Sequence, residues 1–138
     1  MIESRFAKKH ALDEEGRSEI RVRLAEALSA HPEVVFAYVH GSFVKEREFR
    51  DIDVAAYAPG IQDPTSFESD ASNDLSRRTG FPVEVRLIHG APVAFQMAAI
   101  RDGLVLVSRS DEVRTEFIEK VGKRYREYAH FRNLFLQE

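Results

Sequence analysis

The sequence predicts an α/β (α+β) fold in which a short mixed sheet is flanked by helices. The first observation behind this prediction is an alternation of helical and extended hydrophobic patterns, in the order helix, strand, strand, helix, strand, helix, strand, helix. The second is the length of 138 residues with 43% hydrophobic residues, which suits one domain with a sizeable core. We therefore expect a single domain over residues 1–138, with the helices packed mainly on one side of the sheet.

The N-terminal part of the chain is predicted to form an arm and one helix. Residues 1–12 are polar and mixed in charge, which favours a loose arm. Over residues 13–29, apolar side chains that include Leu24 and Leu28 recur at helical spacing. Pro32 ends this helix, because a proline pushes the residue before it out of the α region.

Two strands are predicted next, on either side of a Gly-Ser turn. Residues 34–39 form an unbroken β-branched and aromatic run, which is typical of a strand buried on both faces. Gly41 and Ser42 interrupt this run, and residues 43–48 could form one short helical turn. Residues 51–57 then predict a second strand.

The second half of the chain continues the alternation of helices and strands. Helices are predicted over residues 64–79, over residues 93–101 and from the N-cap Ser110 onwards. Strands are predicted over residues 82–88, where apolar and polar side chains alternate, and over residues 104–107. These elements complete four strands and four main helices.

The composition excludes several classes of protein. The formal net charge of −3, from 20 Lys and Arg against 23 Asp and Glu, argues against general nucleic-acid binding. The chain has no cysteine, which excludes a disulfide framework, a thiolate zinc site and a cysteine nucleophile. No apolar signal core is present at the N-terminus, and no apolar run approaches the roughly 18 residues of a membrane span. We expect a cytoplasmic protein that does not bind a membrane.

The strongest chemical signal lies between the first two predicted strands. Gly41 allows a close approach of the backbone to a ligand, and Ser42 presents a hydroxyl beside free backbone N–H groups, which suits phosphate oxygens. Asp51 and Asp53 lie two positions apart on a strand and therefore point to the same face. Two adjacent carboxylates repel each other unless a cation lies between them. The pair therefore indicates Mg²⁺, which binds few carboxylates together with substrate phosphates.

A third carboxylate is available on the third predicted strand. Glu84 and Arg86 share one face of that strand. If this strand pairs beside the Asp-x-Asp strand, Glu84 joins the metal site or acts as a general base, and Arg86 neutralises phosphate charge. Both residues could instead be ordinary surface side chains. His40, just before the glycine, could line the site or simply fill the end of its strand.

These motifs resemble those of the minimal nucleotidyltransferases of the polymerase-beta superfamily. The strand, the Gly-Ser turn, the Asp-x-Asp and the carboxylate on a later strand follow one another in the same order, over roughly residues 16–135. The chain is similar in particular to the small antitoxins of the HEPN/MNT toxin–antitoxin pairs.

The resemblance implies a site, a reaction and a partner. The nucleotide-binding residues would be Gly41, Ser42, Lys45 and Arg86. The catalytic and metal-binding residues would be Asp51, Asp53 and Glu84, which would hold two Mg²⁺ ions. The reaction would transfer AMP from ATP to a hydroxyl group and release pyrophosphate. In the toxin–antitoxin family the acceptor is a tyrosine of the partner HEPN ribonuclease, which adenylylation silences.

Departures from the family pattern leave two other functions open. Only eight residues separate Ser42 from Asp51, a shorter loop than is usual, and Glu46 stands where the family commonly has glycine. Glu84 replaces the commoner aspartate. A catalytically weak or inactive binding module that neutralises its partner by forming a complex is one alternative. A small-molecule nucleotidyltransferase is the other, although such enzymes normally add a domain to hold the acceptor.

The final helix carries a broad aromatic face that also indicates a protein partner. This face consists of Phe117, Tyr125, Tyr128, Phe131 and Phe135. It exceeds what the core of a small domain can bury, so we expect it to form an interface, either with a partner protein or in a homodimer. A chain of 138 residues has room only for the catalytic unit. If the site is real, we expect the acceptor to be held largely by another chain or by the protein's own dimer.

Overall fold

A four-stranded mixed sheet with helices on both faces forms the centre of the computed structural model, which describes residues 8–136. The strands are β1 His10–Ala11, β2 Phe36–His40, β3 Glu48–Phe49, β4 Ile52–Tyr57, β5 Val83–Leu87 and β6 Leu104–Ser108. The helices are α1 Glu14–Ser29, α2 Ser42–Lys45, α3 Pro64–Thr79, α4 Val93–Asp102 and α5 Asp111–Leu136, with a 3₁₀ turn at Ile88–Gly90. The predicted fold class and the predicted order of the main elements are confirmed.

The order of strands in the sheet determines which residues become neighbours. The order is β5-β4-β2-β6, with β2 antiparallel to both β4 and β6, and β4 parallel to β5. In this register Asp53 of β4 lies opposite His40 of β2 on one side and opposite Glu84 of β5 on the other. Polar residues from three strands therefore meet at one end of the sheet.

Helices cover both faces of the sheet, so the prediction that they pack mainly on one side is wrong. On one face, α1 and α3 contribute Leu24 and Leu75 to a core with the sheet valines. On the other face, α4 and α5 bring Ala99 and Phe117 against the aromatic residues of β2. The physical reason is the apolar run of β2, whose five residues are all buried and need cover on both sides.

The N-terminal segment is only in part the loose arm that the sequence predicted. Residues 1–7 lie outside the described residues. His10 and Ala11, however, form β1 and pair antiparallel with Phe49 and Glu48 of β3. The His10 ring also packs at 5.0 Å from the ring of Phe81. The prediction is therefore wrong for this stretch, because its partners lie far along the chain and leave no local hydrophobic pattern.

Local capping signals in the sequence match the observed helix ends. Gly80, which the sequence predicts as the stop of the helix over residues 64–79, ends α3 with a left-handed φ of 81°. The hydroxyl of Ser110 accepts a hydrogen bond of 3.2 Å from the backbone N–H of Val113, as expected of an N-cap. Within residues 8–136, no helix is both long enough and apolar enough to cross a membrane.

The last helix, α5, is far longer than the core that supports it. Of its 26 residues, only Phe117 and Val121 are buried. Phe131 and Phe135, in its second half, are 61% and 76% exposed. The aromatic face predicted from the sequence therefore begins in the core and continues onto the surface.

Candidate active site

Three carboxylates converge at the end of the sheet where β4 and β5 begin. Asp51 precedes β4, while Asp53 and Glu84 are the second residues of β4 and β5. One carboxylate oxygen from each of them lies within 4.8 Å of the others. The parallel register of β4 and β5 produces this meeting, because it places Asp53 directly beside Glu84. Carboxylate oxygens in such a group are hard ligands of the kind that Mg²⁺ takes.

The electrostatics of this group are those of acids held too close together. The pKa of Asp53 is raised from 3.8 to about 6, first by burial and then by the charges of Asp51 and Glu84. The positive charge of Arg86 acts in the opposite direction. Since the repulsion is relieved either by a proton or by a cation, the three acids suit a divalent metal.

Gly41 lies directly against the Asp53 carboxylate. It has a φ of 79° and a ψ of −154°, which side chains of L-residues rarely adopt. A Cβ atom at this position would also overlap with Oδ2 of Asp53. The glycine is therefore needed twice, for its backbone conformation and for the close approach of the acid.

Ser42 shares a cleft with the first aspartate. It is the first residue of the short helix α2, directly after Gly41. Ser42 and Asp51 both line a cavity of about 330 Å³, to which Lys9 and Arg50 also contribute. The structure thus brings the predicted phosphate-binding serine and the predicted metal ligand to one cleft.

The two predicted phosphate-binding cations are placed differently. The guanidinium of Arg86 lies 4.3 Å from the centre of the Phe95 ring of α4, and its charge acts on Asp53. The ammonium of Lys45 lies 3.5 Å from a carboxylate oxygen of Asp102, at the end of α4. Arg86 therefore belongs to the carboxylate group, whereas Lys45 sits at its flank in a separate ion pair.

His40 is buried beside the three carboxylates. From the sequence it could either line the site or simply fill the end of its strand. It is 8% exposed and lies opposite Asp53, with its ring 5.1 Å from that of Phe95. Burial and the charge of Arg86 lower the pKa of His40 from 6.5 to about 4, so the ring is neutral at neutral pH. Its Nε2 atom is buried without a hydrogen-bond partner among residues 8–136. His40 thus fills the strand end and borders the site at once.

Arg17 positions the loop between Ser42 and Asp51, a role that no pattern in the sequence predicted. Its guanidinium, on α1, donates to the carbonyl of Phe43 and, at 2.6 Å, to that of Arg47. It also lies 5.4 Å and 5.3 Å from the rings of Phe43 and Phe49. Those partners are some thirty residues away, so neither spacing nor composition distinguished this arginine from the other charged residues of α1.

Comparisons with known proteins agree with this geometry. The model of the family described as "Polymerase beta, Nucleotidyltransferase" matches residues 23–112. No curated protein matches the chain. One similar solved structure is a toxin–antitoxin with AMP-PNP, with a TM-score of 0.73 and 18% identity over 85% of this chain and 95% of that chain.

Two further solved structures have the same fold. A tri-AMPylated Shewanella oneidensis HEPN toxin in complex with its MNT antitoxin gives a TM-score of 0.71 and 16% identity, covering 88% of this chain and 96% of that chain. The toxin–antitoxin MntA–HepT gives 0.68 and 16% identity, covering 91% and 97%. The family match spans more than half of the chain and includes the Gly-Ser turn and all three carboxylates. This chain belongs to the polymerase beta nucleotidyltransferase family.

Proposed function

We propose that the chain is an antitoxin that transfers AMP from ATP to a tyrosine hydroxyl of a HEPN-type toxin in the cytoplasm. The observation that carries this proposal is the convergence of Asp51, Asp53 and Glu84 within 4.8 Å of one another, beside the Gly41–Ser42 turn. A nucleotidyltransferase needs acidic metal ligands and a phosphate-binding turn in contact with each other.

The comparisons support the reaction and the partner. One similar structure is a toxin–antitoxin with AMP-PNP, an ATP analogue, and another contains a tri-AMPylated HEPN toxin. Those ligands and modifications belong to the similar proteins. A bound ATP analogue and an AMPylated partner are what a site of three acids and a Gly-Ser turn would produce. For this reason we propose the same chemistry for this chain.

Asp51, Asp53 and Glu84 would hold two Mg²⁺ ions. The donor set fits, because hard carboxylate oxygens face one another. Burial, followed by the charges of Asp51 and Glu84, raises the pKa of Asp53, and a cation bound between the acids would offset both effects. Bound metal would stabilise the charge that develops on the α-phosphate and on the leaving pyrophosphate.

The protein's own residues would orient the substrates and move one proton. Gly41 and Ser42 would hold the phosphates by backbone N–H groups and a hydroxyl, and Arg86 would balance their charge. The acceptor oxygen forms a bond to the α-phosphorus, the bond from that phosphorus to the β-bridging oxygen breaks, and pyrophosphate leaves. Glu84, the one exposed member of the three acids, would accept the hydroxyl proton.

Lys45 can take part only by leaving its ion pair. Its side chain is 59% exposed and lies 3.5 Å from Asp102. Exposed ion pairs contribute about 0–1 kcal/mol, so exchanging Asp102 for a phosphate costs little. Lys45 therefore remains a proposed phosphate contact at the rim of the site.

The acceptor would be held by the exposed half of α5. Exposed apolar side chains there are Tyr128, Phe131, Leu134, Phe135 and Leu136, which we call the α5 apolar face. Contiguous apolar surface of this kind marks a protein contact, and we propose the toxin as the contact partner. A homodimer through the same face is the competing arrangement.

The acidic balance of the chain, with a net charge of −3, argues against a direct nucleic-acid partner.

A binding module without turnover is the second candidate function. Two observations favour it, namely the short loop of eight residues between Ser42 and Asp51 and the engagement of Lys45 with Asp102. Such a module would neutralise the toxin by forming a complex alone.

One experiment separates these candidates. The chain is incubated with a HEPN-type toxin, Mg²⁺ and ATP labelled at the α-phosphate, alongside the variant Asp51→Asn/Asp53→Asn. We expect label on the toxin with the wild-type chain and none with the variant. Transfer that persists in the variant refutes the metal site, while a tight complex without transfer in either case identifies the binding module.

A further inference from the structure

A second cavity lies on the same face of the sheet as the carboxylates but at the opposite end of β4. Its volume is about 550 Å³, within the range of small-molecule sites. Tyr57, the last residue of β4, forms part of the wall of this cavity. Asp53 is the second residue of the same strand and therefore lies at its other end. Four residues of strand place them roughly 13 Å apart. We call this cavity the Tyr57 pocket.

One wall of the Tyr57 pocket is cationic. Lys120, Lys123 and Arg124 line it, and their spacing of three and four positions places them on one side of α5. Within the described part of the chain, no carboxylate lies within the 4.0 Å of an ion pair from any of these three cations. Glu116 and Glu127 also line the pocket, which leaves one positive charge in excess.

Arg124 is held in place by a buried amide. Gln96 of α4 is 0% exposed. Its Nε2 donates to the carbonyl of Ile88 at 2.8 Å, and its Oε1 accepts from Arg124 at 3.1 Å. Because the amide is fixed at both ends, the guanidinium is oriented at the pocket before any ligand arrives, which lowers the cost of binding.

The facing wall is aromatic. The Tyr57 ring stacks on Phe36 with 4.8 Å between centres and an angle of 7°, and the His89 ring meets Tyr57 at 5.4 Å. Burial lowers the pKa of His89, which favours its neutral, stacking form. Aromatic rings of this kind stack with nucleobases, and cations opposite them bind phosphate.

We propose that the Tyr57 pocket binds a nucleoside monophosphate unit, with its phosphate on Lys120, Lys123 and Arg124 and its base against Tyr57 and His89. This site goes beyond the proposed function, since it contains none of the three carboxylates and needs no metal. Free AMP and an adenylyl group already joined to another molecule both present this chemistry.

Calorimetric titration of the full chain in EDTA tests the proposal. The probes are AMP, the diester adenylyl-(3′-5′)-adenosine, adenosine and inorganic phosphate. We expect AMP, the diester or both to bind more tightly than adenosine or phosphate. Preference for AMP identifies the free nucleotide as the ligand, and equal or tighter binding of the diester identifies a joined adenylyl group.

Three variants locate the binding. Hydrogen bonds between the lysine ammonium groups and the phosphate contribute to the affinity for the nucleotide. Lys120→Ala/Lys123→Ala should therefore weaken the binding of AMP or the diester roughly tenfold or more. The matched control Arg126→Ala, on the same helix but outside the pocket, should leave binding unchanged, as should Asp51→Asn/Asp53→Asn. The proposal is overturned if neither nucleotide binds at about 5 mM, if phosphate alone binds equally well, or if the lysine variant retains its helical circular dichroism and its full affinity.

Discussion

At the scale of single residues, the carboxylate group lowers the stability of the folded protein, and the effect centres on Asp53. Folding raises the pKa of Asp53 from 3.8 to about 6, which means that the folded protein binds this proton more tightly than the unfolded chain does. The free energy of unfolding is therefore reduced by the charge on Asp53, partly between pH 4 and 6 and fully above about pH 6. Functional groups are commonly the sites of such strain.

Asp53→Asn should consequently raise the melting temperature in EDTA near pH 8. The gain should shrink as the pH falls from about 6 to about 4, where the wild-type carboxyl becomes protonated in the unfolded chain as well. Thermal denaturation of both proteins across this pH range measures it. Asp70→Asn, at an exposed carboxylate of α3, serves as control and should change little at any pH. Equal melting temperatures of wild type and Asp53→Asn near pH 8 would contradict the assignment.

Gly41 and Gly80 allow backbone strain to be separated from crowding at the site. Both have positive φ, 79° and 81°, but only Gly41 faces Asp53, whereas nothing lies within 4 Å of a Cβ at Gly80. Gly80→Ala should lower the free energy of unfolding by about 1–2 kcal/mol, from backbone strain alone. Gly41→Ala should lower it further, because its backbone strain of about 1–3 kcal/mol is joined by the overlap of the new Cβ with Asp53. Only Gly41→Ala should also abolish the rise in melting temperature on adding Mg²⁺, because it displaces the carboxylate. Urea denaturation and melting with and without Mg²⁺ measure the two effects. A full Mg²⁺ response in Gly41→Ala would show that the acid is not displaced.

At the scale of elements, one arginine of α1 fixes the loop that joins the two halves of the site. Arg17 binds the carbonyls of Phe43 and Arg47 and stacks on two rings, geometry that a lysine cannot reproduce. Arg17→Lys should therefore cost about 1–3 kcal/mol of stability and speed amide exchange over residues 43–50. Exchange measured by mass spectrometry, together with urea denaturation, reports both.

A matched variant on the same helix controls for the loss of an arginine. Within residues 8–136, Arg23 pairs only with Glu19, at 2.8 Å on the exposed surface. Arg23→Lys should stay within about 0.5 kcal/mol of wild type and leave exchange in the loop unchanged. If both variants behave alike, Arg17 does not position the loop.

What the sequence could predict at this scale depends on how local the signal is. Asp51 and Asp53 are two positions apart, so the sequence alone could place them on one face. For Glu84 the sequence predicted a strand and a shared face with Arg86, and left open whether that strand pairs beside the Asp-x-Asp strand, as the parallel register of β4 and β5 shows that it does. The pairing of β1 with β3 and the reach of Arg17 could not be predicted. Both depend on contacts between segments some thirty or more residues apart, which leave no periodicity in the hydrophobic pattern.

The helix distribution shows the same limit. The unbroken apolar run of residues 34–39 correctly predicted a strand buried on both faces. That burial requires helices on both sides of the sheet, which the expectation of one covered side did not take into account. A strand without a polar face is thus a better guide to layer architecture than the number of amphipathic helices.

At the scale of the whole molecule, the three carboxylates and the α5 apolar face lie in separate parts of the structure. The carboxylates lie at one end of the sheet, while the α5 apolar face lies on a helix whose buried residues end at Val121. From there to Leu136 the helix continues for about 22 Å. Changes to this face should therefore affect partner binding without affecting the core or the carboxylates.

Phe131→Ser/Phe135→Ser tests this separation. Aromatic anchors at an interface contribute about 2 kcal/mol or more each, so losing both should lower the affinity for the HEPN-type toxin roughly 700-fold or more. Since the two side chains are 61% and 76% exposed, the melting temperature of the chain alone should hardly change. Asp51→Asn/Asp53→Asn should show the reverse, with intact binding and no transfer of labelled AMP.

Glu119→Ser/Arg126→Ser, at exposed positions of the same helix, controls for the loss of helix propensity. Biolayer interferometry measures the affinities. An unchanged affinity of the phenylalanine variant would place the toxin elsewhere, and a wild-type dimer that this variant converts to monomer would assign the face to self-association instead.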